Sequence, residues 1–169
     1  KAGVGNFRLY DFDRIEASNI SRHIAGSSDV GRWKTAVVRE HILDKNPEAQ
    51  ISISNEDINK NPADLEREHR NVDLVVVGTD NNRSRFNLNS VSLARGLPAL
   101  YGRARSNAAG GDVFFHRPGG PCYVCLIGSG LIASEQEELA SFRNARPELP
   151  PNVLVEDVRH PTNAGPPVH

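Results

Sequence analysis

Three aspartates lie at the ends of strand-type segments. Asp11 and Asp13 stand at the end of "NFRLYDF" (6–12), and Asp80 ends "VDLVVVGTD" (72–80). In open α/β sheets, ligands bind beyond the carboxyl ends of the strands, where a carboxylate can accept hydrogen bonds from ribose or hold a metal ion. A single aspartate at such a place is more typical of a turn or a helix cap. The side chains between these aspartates therefore decide whether a ligand site is indicated.

Basic and amide side chains follow the first two aspartates closely. Asn19 and Arg22 lie within "SNISRH" (18–23), and Lys34 begins the next helix-type segment, in a chain with four lysines against 16 arginines. A forked guanidinium and a compact ammonium suit a polyphosphate, although a single basic residue is most often a solvated surface charge. Together with carboxylates that could serve ribose and a metal ion, these side chains predict a site for a nucleoside triphosphate with magnesium.

Cys122 and Cys125 lie in the turn-rich stretch "RPGGPCYVCLIGSG" (117–130). Structural zinc takes four ligands, so this pair supplies half of a zinc site. A redox pair would begin a helix after a strand, and the Gly- and Pro-rich surroundings favour a zinc-knuckle turn over that arrangement. Inert buried thiols are the other alternative. Three histidines could substitute as metal ligands: His116, His160 and His169.

Strand-type and helix-type segments alternate through most of the chain. Apolar patterning predicts strands at 6–12, 49–56, 72–80, 97–104 and 110–118. Helical spacing predicts helices at 29–46, 61–71, 83–96 and 134–145. Because parallel strands are joined by crossover helices, the alternation predicts an α/β fold with a Rossmann-like, doubly wound and mostly parallel sheet.

Capping residues set the expected ends of two helices. Asp29 is the expected N-cap of the first helix, and Asn46-Pro47 is its expected end. Gly96 is expected to close the helix that begins near residue 83.

The composition excludes several classes of function. The net charge of −1 gives no overall attraction to nucleic acid or to an anionic membrane. No apolar run approaches the roughly 20 residues that a membrane-spanning helix needs. Two cysteines make no disulfide framework and fit a reducing compartment, so a cytoplasmic protein is expected. The lack of methionine, with Lys1 at the start, indicates a piece of a longer protein.

Four segments in order resemble the ubiquitin-activating-enzyme family, and within it the bacterial ThiF and MoeB type adenylyltransferases. They are 3–23, 29–51, 72–102 and 111–126. The resemblance implies ATP-dependent adenylation of the C-terminal carboxylate of a ubiquitin-like or sulfur-carrier protein that ends in glycine. The products would be an acyl-adenylate and pyrophosphate. Family members are commonly dimers, so a homodimer is a further expectation.

The resemblance also implies a role for each candidate nucleotide-binding residue. Asp11 would bind ribose, with Asp13 in the same cofactor-binding group. Asn19, Arg22 and Lys34 would contact the triphosphate.

The resemblance extends to two metal ions. Asp80 would hold magnesium and would be catalytic together with Arg22 and Lys34. Cys122 and Cys125 would bind zinc, with the family's second cysteine pair some tens of residues later.

The sequence thus predicts three regions. Residues 1–116 form a nucleotide-binding α/β region whose first strand and glycine-rich loop lie upstream in the family. Residues 117–146 carry the Cys-x-x-Cys turn, as a zinc-knuckle-type insertion, and a short helix. Residues 147–169 are a Pro-rich crossover loop or linker.

Two alternative functions remain compatible with an α/β fold of this type. A dinucleotide-dependent oxidoreductase would explain Asp11 but gives no role to Arg22, Lys34 or Asp80. A non-catalytic pseudo-enzyme half would bind a ubiquitin-like protein without needing these four side chains.

Overall fold

The structure is a computed structural model that describes residues 3–60, 65, 70–104, 110–130, 140, 143 and 144. The chain divides into two compact units, Lys1–Asn61 and Pro62–His169. The predicted helices at 61–71 and 134–145 lie almost entirely outside the described residues, and the Pro-rich stretch 147–169 lies wholly outside them. In the described part of the chain, no helix combines the length and the apolar composition of a membrane span.

The first unit is built on one parallel strand pair. Strand β1 (Asn6–Tyr10) pairs in parallel with β2 (Gln50–Ser54), and helix α1 (Lys34–Lys45) lies between them in sequence. A parallel pair needs such a crossover because the chain must return to the same end of the sheet. The predicted strands and the predicted end of α1 are confirmed, since Asn46 is its C-cap.

The predicted start of α1 is wrong. Asp29 lies in a short 3-10 helix, Ser27–Asp29, and α1 begins five residues later with Trp33 as its N-cap. The Asp29 carboxylate accepts a hydrogen bond from Gly26 N at 2.8 Å and pairs with Arg32 at 2.6 Å. These two contacts lower the pKa of Asp29, and the hydrogen bond from Gly26 has the larger effect. The carboxylate is therefore used in the turn and is not available to cap α1.

The second unit contains a three-stranded mixed sheet. Strand β3 (Val75–Val77) pairs in parallel with β4 (Ala99–Ala104), and β5 (Gly111–His116) pairs antiparallel with β4. Helix α2 (Asn82–Arg95) joins β3 to β4. The α/β class is confirmed, as is the end of α2 at Gly96, which has a φ of 61° in the left-handed region.

The core of this unit combines apolar strands with an unusually polar helix face. Val77 and Tyr101 are 1% exposed on the sheet, and the Tyr101 ring stacks on Tyr123 with centroids 4.7 Å apart. Tyr123 belongs to helix α3 (Tyr123–Gly128). Helix α2 buries several polar side chains beside them: Asn82, Ser84, Arg85, Asn87, Asn89 and Ser92. Buried polar groups of this kind need hydrogen-bond partners.

Asn89 provides one such partnership, between α2 and α3. Its Oδ1 accepts a hydrogen bond from the Tyr123 backbone N at 2.9 Å, and both residues are buried. Asn89→Ala would leave that N–H buried without an acceptor, so we expect a loss of about 1–3 kcal/mol in unfolding free energy. Urea denaturation of the full-length protein, followed by circular dichroism, measures it.

The control is Arg83→Ala on the exposed side of α2, which we expect to change stability by less than about 0.5 kcal/mol. Equal losses in the two variants would contradict a specific role for Asn89.

Candidate functional site

Two of the predicted site residues form an ion pair at the carboxyl end of β1. Lys34 Nζ lies 2.6 Å from Asp13 Oδ2, and Lys34 N donates to the Asp13 carbonyl at 3.1 Å. Asp11 Oδ1 accepts a hydrogen bond from Asp13 N at 2.8 Å, which fixes the turn between the two aspartates. The structure thus brings Asp11, Asp13 and Lys34 together, as expected of side chains beyond a strand's carboxyl end.

The loop that carries these aspartates is fastened to the start of α1. Ile15 is 1% exposed and packs with Ala25 and Val37. The Arg14 guanidinium lies 3.9 Å from the centre of the Trp33 ring and donates to the Gly31 carbonyl at 2.7 Å. A cation over an indole is a favourable contact. These contacts hold Asp13 opposite Lys34. The sequence analysis did not identify Arg14, and no local pattern marks it.

Asn19 and Arg22 lie on the 3-10 helix that follows, Ala17–Arg22. Asn19 is half-buried, and its Oδ1 accepts from Glu16 N at 3.2 Å, so the side chain stabilises the start of this helix. Arg22 is exposed and uses Nη1 to donate to the Ser18 carbonyl at 3.0 Å. A guanidinium has five N–H donors, so most of its capacity for hydrogen bonds is left for a ligand.

Asp80 lies in the second unit, just beyond the carboxyl end of β3. Its side chain is exposed, and Asn81 Nδ2 lies 3.5 Å from Asp80 Oδ1. Asn81 also caps α2, because its Oδ1 accepts from Ser84 N at 2.9 Å. An exposed carboxylate at a strand end suits magnesium, which binds through one or two carboxylates and keeps several waters.

The side chain that holds the Asp80 loop was not among the residues predicted from the sequence. Arg85 is 7% exposed and donates from Nη2 to the Thr79 carbonyl at 2.5 Å and from Nη1 to Asn82 Oδ1 at 2.9 Å. Arg85 lies three residues after Asn82, so the two side chains are on the same side of the helix. This spacing is the feature of the sequence that could have indicated their contact. Charged side chains are seldom buried, so the residue type gave no indication that Arg85 lies in the interior.

Cys122 and Cys125 are buried free thiols whose Sγ atoms lie 3.4 Å apart. The expectation of a knuckle turn in place of a helix start is wrong, because Cys122 is the N-cap of α3, which follows β5. Burial raises the pKa of the Cys125 thiol to about 11. Nucleophilic or redox-active cysteines have lowered pKa values, so this environment opposes that use.

The histidine alternatives for a metal site receive no support from the described residues. His116 is buried, and its Nδ1 donates to the Pro121 carbonyl at 3.0 Å. No group of three or more His, Cys, Asp or Glu side chains in the described part of the chain could hold a metal ion. His160 and His169 lie outside that part.

Comparisons with known proteins identify the family of this chain. The ThiF family matches residues 1–164. The chain is 36% identical over 127 residues to a molybdopterin-synthase adenylyltransferase from Escherichia coli, covering 74% of this chain and 50% of the relative. It is 31% identical over 137 residues to a sulfur carrier protein adenylyltransferase from Thermus thermophilus, covering 75% and 48%.

Solved structures of E. coli MccB have a similar fold. The complex of MccB with MccA-N7isoASN superposes with a TM-score of 0.64 at 26% identity, covering 73% of this chain and 36% of that one. The complex with AMPCPP and MccA gives a TM-score of 0.62 at 26% identity and the same coverage. The chain spans about half the length of the two curated relatives. The resemblance found in the sequence is confirmed, and the chain belongs to the ThiF family.

Proposed function

We propose that the intact protein uses ATP to adenylate the C-terminal carboxylate of a small partner protein. The partner would be a ubiquitin-like or sulfur-carrier protein that ends in glycine, and the products an acyl-adenylate and pyrophosphate. The observation that carries the proposal is the Asp11, Asp13 and Lys34 group beyond β1 in a ThiF family chain. The named relatives support it, since two are adenylyltransferases and MccB occurs with AMPCPP.

Within this function, the residues beyond β1 bind the nucleotide. Asp11 spends one carboxylate oxygen on Asp13 N and has the other for ribose hydroxyls. In the Asp13–Lys34 pair, the Asp13 side chain is 52% exposed and the Lys34 side chain is 22% exposed. Surface pairs of this kind contribute only about 0.2–1 kcal/mol, so exchanging the Asp13 contact for phosphate would cost little. Asn19 and Arg22 would contact the same triphosphate.

The chemistry requires positioning and charge neutralisation more than proton transfer. The attacking carboxylate is ionised at neutral pH, so no general base is needed for its attack on the α-phosphorus of ATP. Arg22 and Lys34 would neutralise charge on the phosphates as pyrophosphate leaves. Asp80 would hold magnesium, which supplies further charge neutralisation at the phosphate oxygens.

We also propose structural zinc at the cysteine pair. With zinc–sulfur bonds of about 2.3 Å, tetrahedral geometry places two sulfurs about 3.8 Å apart, close to the separation of Cys122 and Cys125. Both side chains are buried, as structural zinc ligands usually are. The other two ligands would come from outside the described residues.

We also propose that a further strand completes the sheets of the nucleotide-binding region. Among the described strands, β1 pairs only with β2, and β3 only with β4. Parallel sheets are normally extended and covered on both faces. We therefore keep residues 1–116 as a nucleotide-binding region completed by a strand and glycine-rich loop from elsewhere in the polypeptide. Residues 117–146 are kept as a zinc-binding insertion and 147–169 as a crossover loop or linker. We further propose that the protein is cytoplasmic and forms a homodimer.

Asp80→Ala should abolish ATP–pyrophosphate exchange by the full-length protein, because magnesium would lose its carboxylate. Exchange is measured with a sulfur-carrier protein that has a C-terminal glycine. The matched control is Asp73→Ala, another exposed aspartate, which lies before β3 and not after it. Near wild-type exchange by Asp80→Ala would make Asp80 a structural residue and the magnesium assignment wrong.

Arg22→Ala should raise the KM for ATP by about 10-fold or more, as expected for the loss of a charge-assisted contact to phosphate. Arg22→Lys should recover only part of this loss, because an ammonium cannot form the bidentate contact of a guanidinium. Arg39→Ala, on the exposed side of α1, is the control. Complete recovery by lysine would reduce Arg22 to a point charge.

Elemental analysis of the full-length protein should find about one zinc per chain, as a four-ligand structural site requires. Cys122→Ser should lower this content sharply. Ile15→Ala, at a buried position of the first unit, should retain zinc and so controls for reduced stability alone. A fully active, zinc-free wild-type protein would leave the pair as buried thiols.

A further inference from the structure

Arg85 is a buried cation that is used entirely within the protein. It is 7% exposed, and its two Nη atoms donate to the Thr79 carbonyl and to Asn82 Oδ1. Within the described part of the chain its guanidinium contacts no carboxylate, and its Nε has no hydrogen-bond partner. Burying a guanidinium is costly unless its donors are used. Both bonds that it makes to described residues are to the Thr79–Asn82 loop, which contains Asp80.

Asn82 joins Arg85 to the cysteine segment. Its Oδ1 accepts from Arg85 Nη1 at 2.9 Å and from the Tyr123 hydroxyl at 3.2 Å. Tyr123 lies between Cys122 and Cys125 in sequence and is 0% exposed. Its ring stacks on Tyr101, so its position is set by packing on β4. A continuous series of contacts therefore runs from α3 to the loop after β3.

We propose that Arg85, Asn82 and Tyr123 are positioning residues that hold the Thr79–Asn82 loop so that the Asp80 carboxylate keeps the orientation needed for a metal–nucleotide complex. This role rests on the proposed function and deepens it. None of the three side chains would need to contact the nucleotide, because their influence would pass through the backbone of the loop. The cysteine segment would thus support the metal-binding loop through Tyr123.

The sharpest variant is Tyr123→Phe, which removes one hydroxyl and keeps the stacked ring. We expect ATP binding by the full-length protein in MgCl2 to weaken about 3- to 10-fold, the effect of losing one buried hydrogen bond on the placement of Asp80. Binding in EDTA should be unchanged, because Asp80 then has no metal ion to hold. Isothermal titration calorimetry with ATP measures both conditions.

A double-mutant cycle tests whether the effect passes through Asp80. In an Asp80→Asn background, Tyr123→Phe should cause no further loss of ATP affinity, since coupled residues are non-additive. Arg85→Lys should lose affinity in MgCl2 as Tyr123→Phe does, because lysine cannot hold two acceptors in fixed directions.

The matched control is Tyr101→Phe, which removes a buried hydroxyl from the other ring of the same stack. Among the described residues, that hydroxyl makes no hydrogen bond to the Thr79–Asn82 loop. We expect its ATP affinity to equal that of the wild type in both conditions.

Hydrogen–deuterium exchange separates failure of this inference from failure of the proposed function. Amides of the Thr79–Asn82 loop should exchange faster in Tyr123→Phe than in Tyr101→Phe, whether or not the protein binds ATP. Absence of ATP binding by the wild type would overturn the proposed function. Hydrogen–deuterium exchange would then still show whether the Tyr123 contact holds the Thr79–Asn82 loop. Unchanged loop exchange, or equal losses of affinity in MgCl2 and EDTA, would overturn the inference.

Discussion

Parallel pairing is the constraint on which the arrangement of the candidate residues depends. A chain that forms β1 and β2, or β3 and β4, side by side in the same direction must cross back over the sheet through a helix. Each strand therefore ends beside the beginning of the following helix. In the first unit this places Asp13 against Lys34. In the second it places Asp80 directly before α2, where a loop of few residues must be held rigidly.

Local patterns were sufficient to predict the strands and most of α2. β-branched runs and a left-handed glycine act over a few residues, and Gly96 ends α2 where that signal predicts. The start of α1 was not predicted correctly, because an aspartate such as Asp29 can accept hydrogen bonds equally well at a helix start or in a turn. The turn is formed since Gly26 and Arg32 both contact the Asp29 carboxylate, and sequence spacing does not rank these competing contacts.

The candidate site was predicted only as far as residue type and position allow. Aspartates at strand ends mark an edge of the sheet, but the Asp13–Lys34 contact joins residues 21 apart. Arg85 was missed because a buried guanidinium opposes the general tendency of charged side chains to be exposed. Its environment becomes favourable only once the Thr79 carbonyl and Asn82 are in place. Such partners are visible in a tertiary structure and not in a helical pattern.

The two cations differ in a way that matches the work proposed for them. Lys34 is paired with a partly exposed carboxylate, and a compact ammonium on a flexible stem can exchange that contact for one with phosphate. Arg85 is buried, and its rigid planar fork engages two acceptors at once. A group that must release its partner to bind a ligand is best held weakly at the surface. A group that must keep a loop in one conformation is best held by several directed bonds in the interior, where water does not compete for its donors.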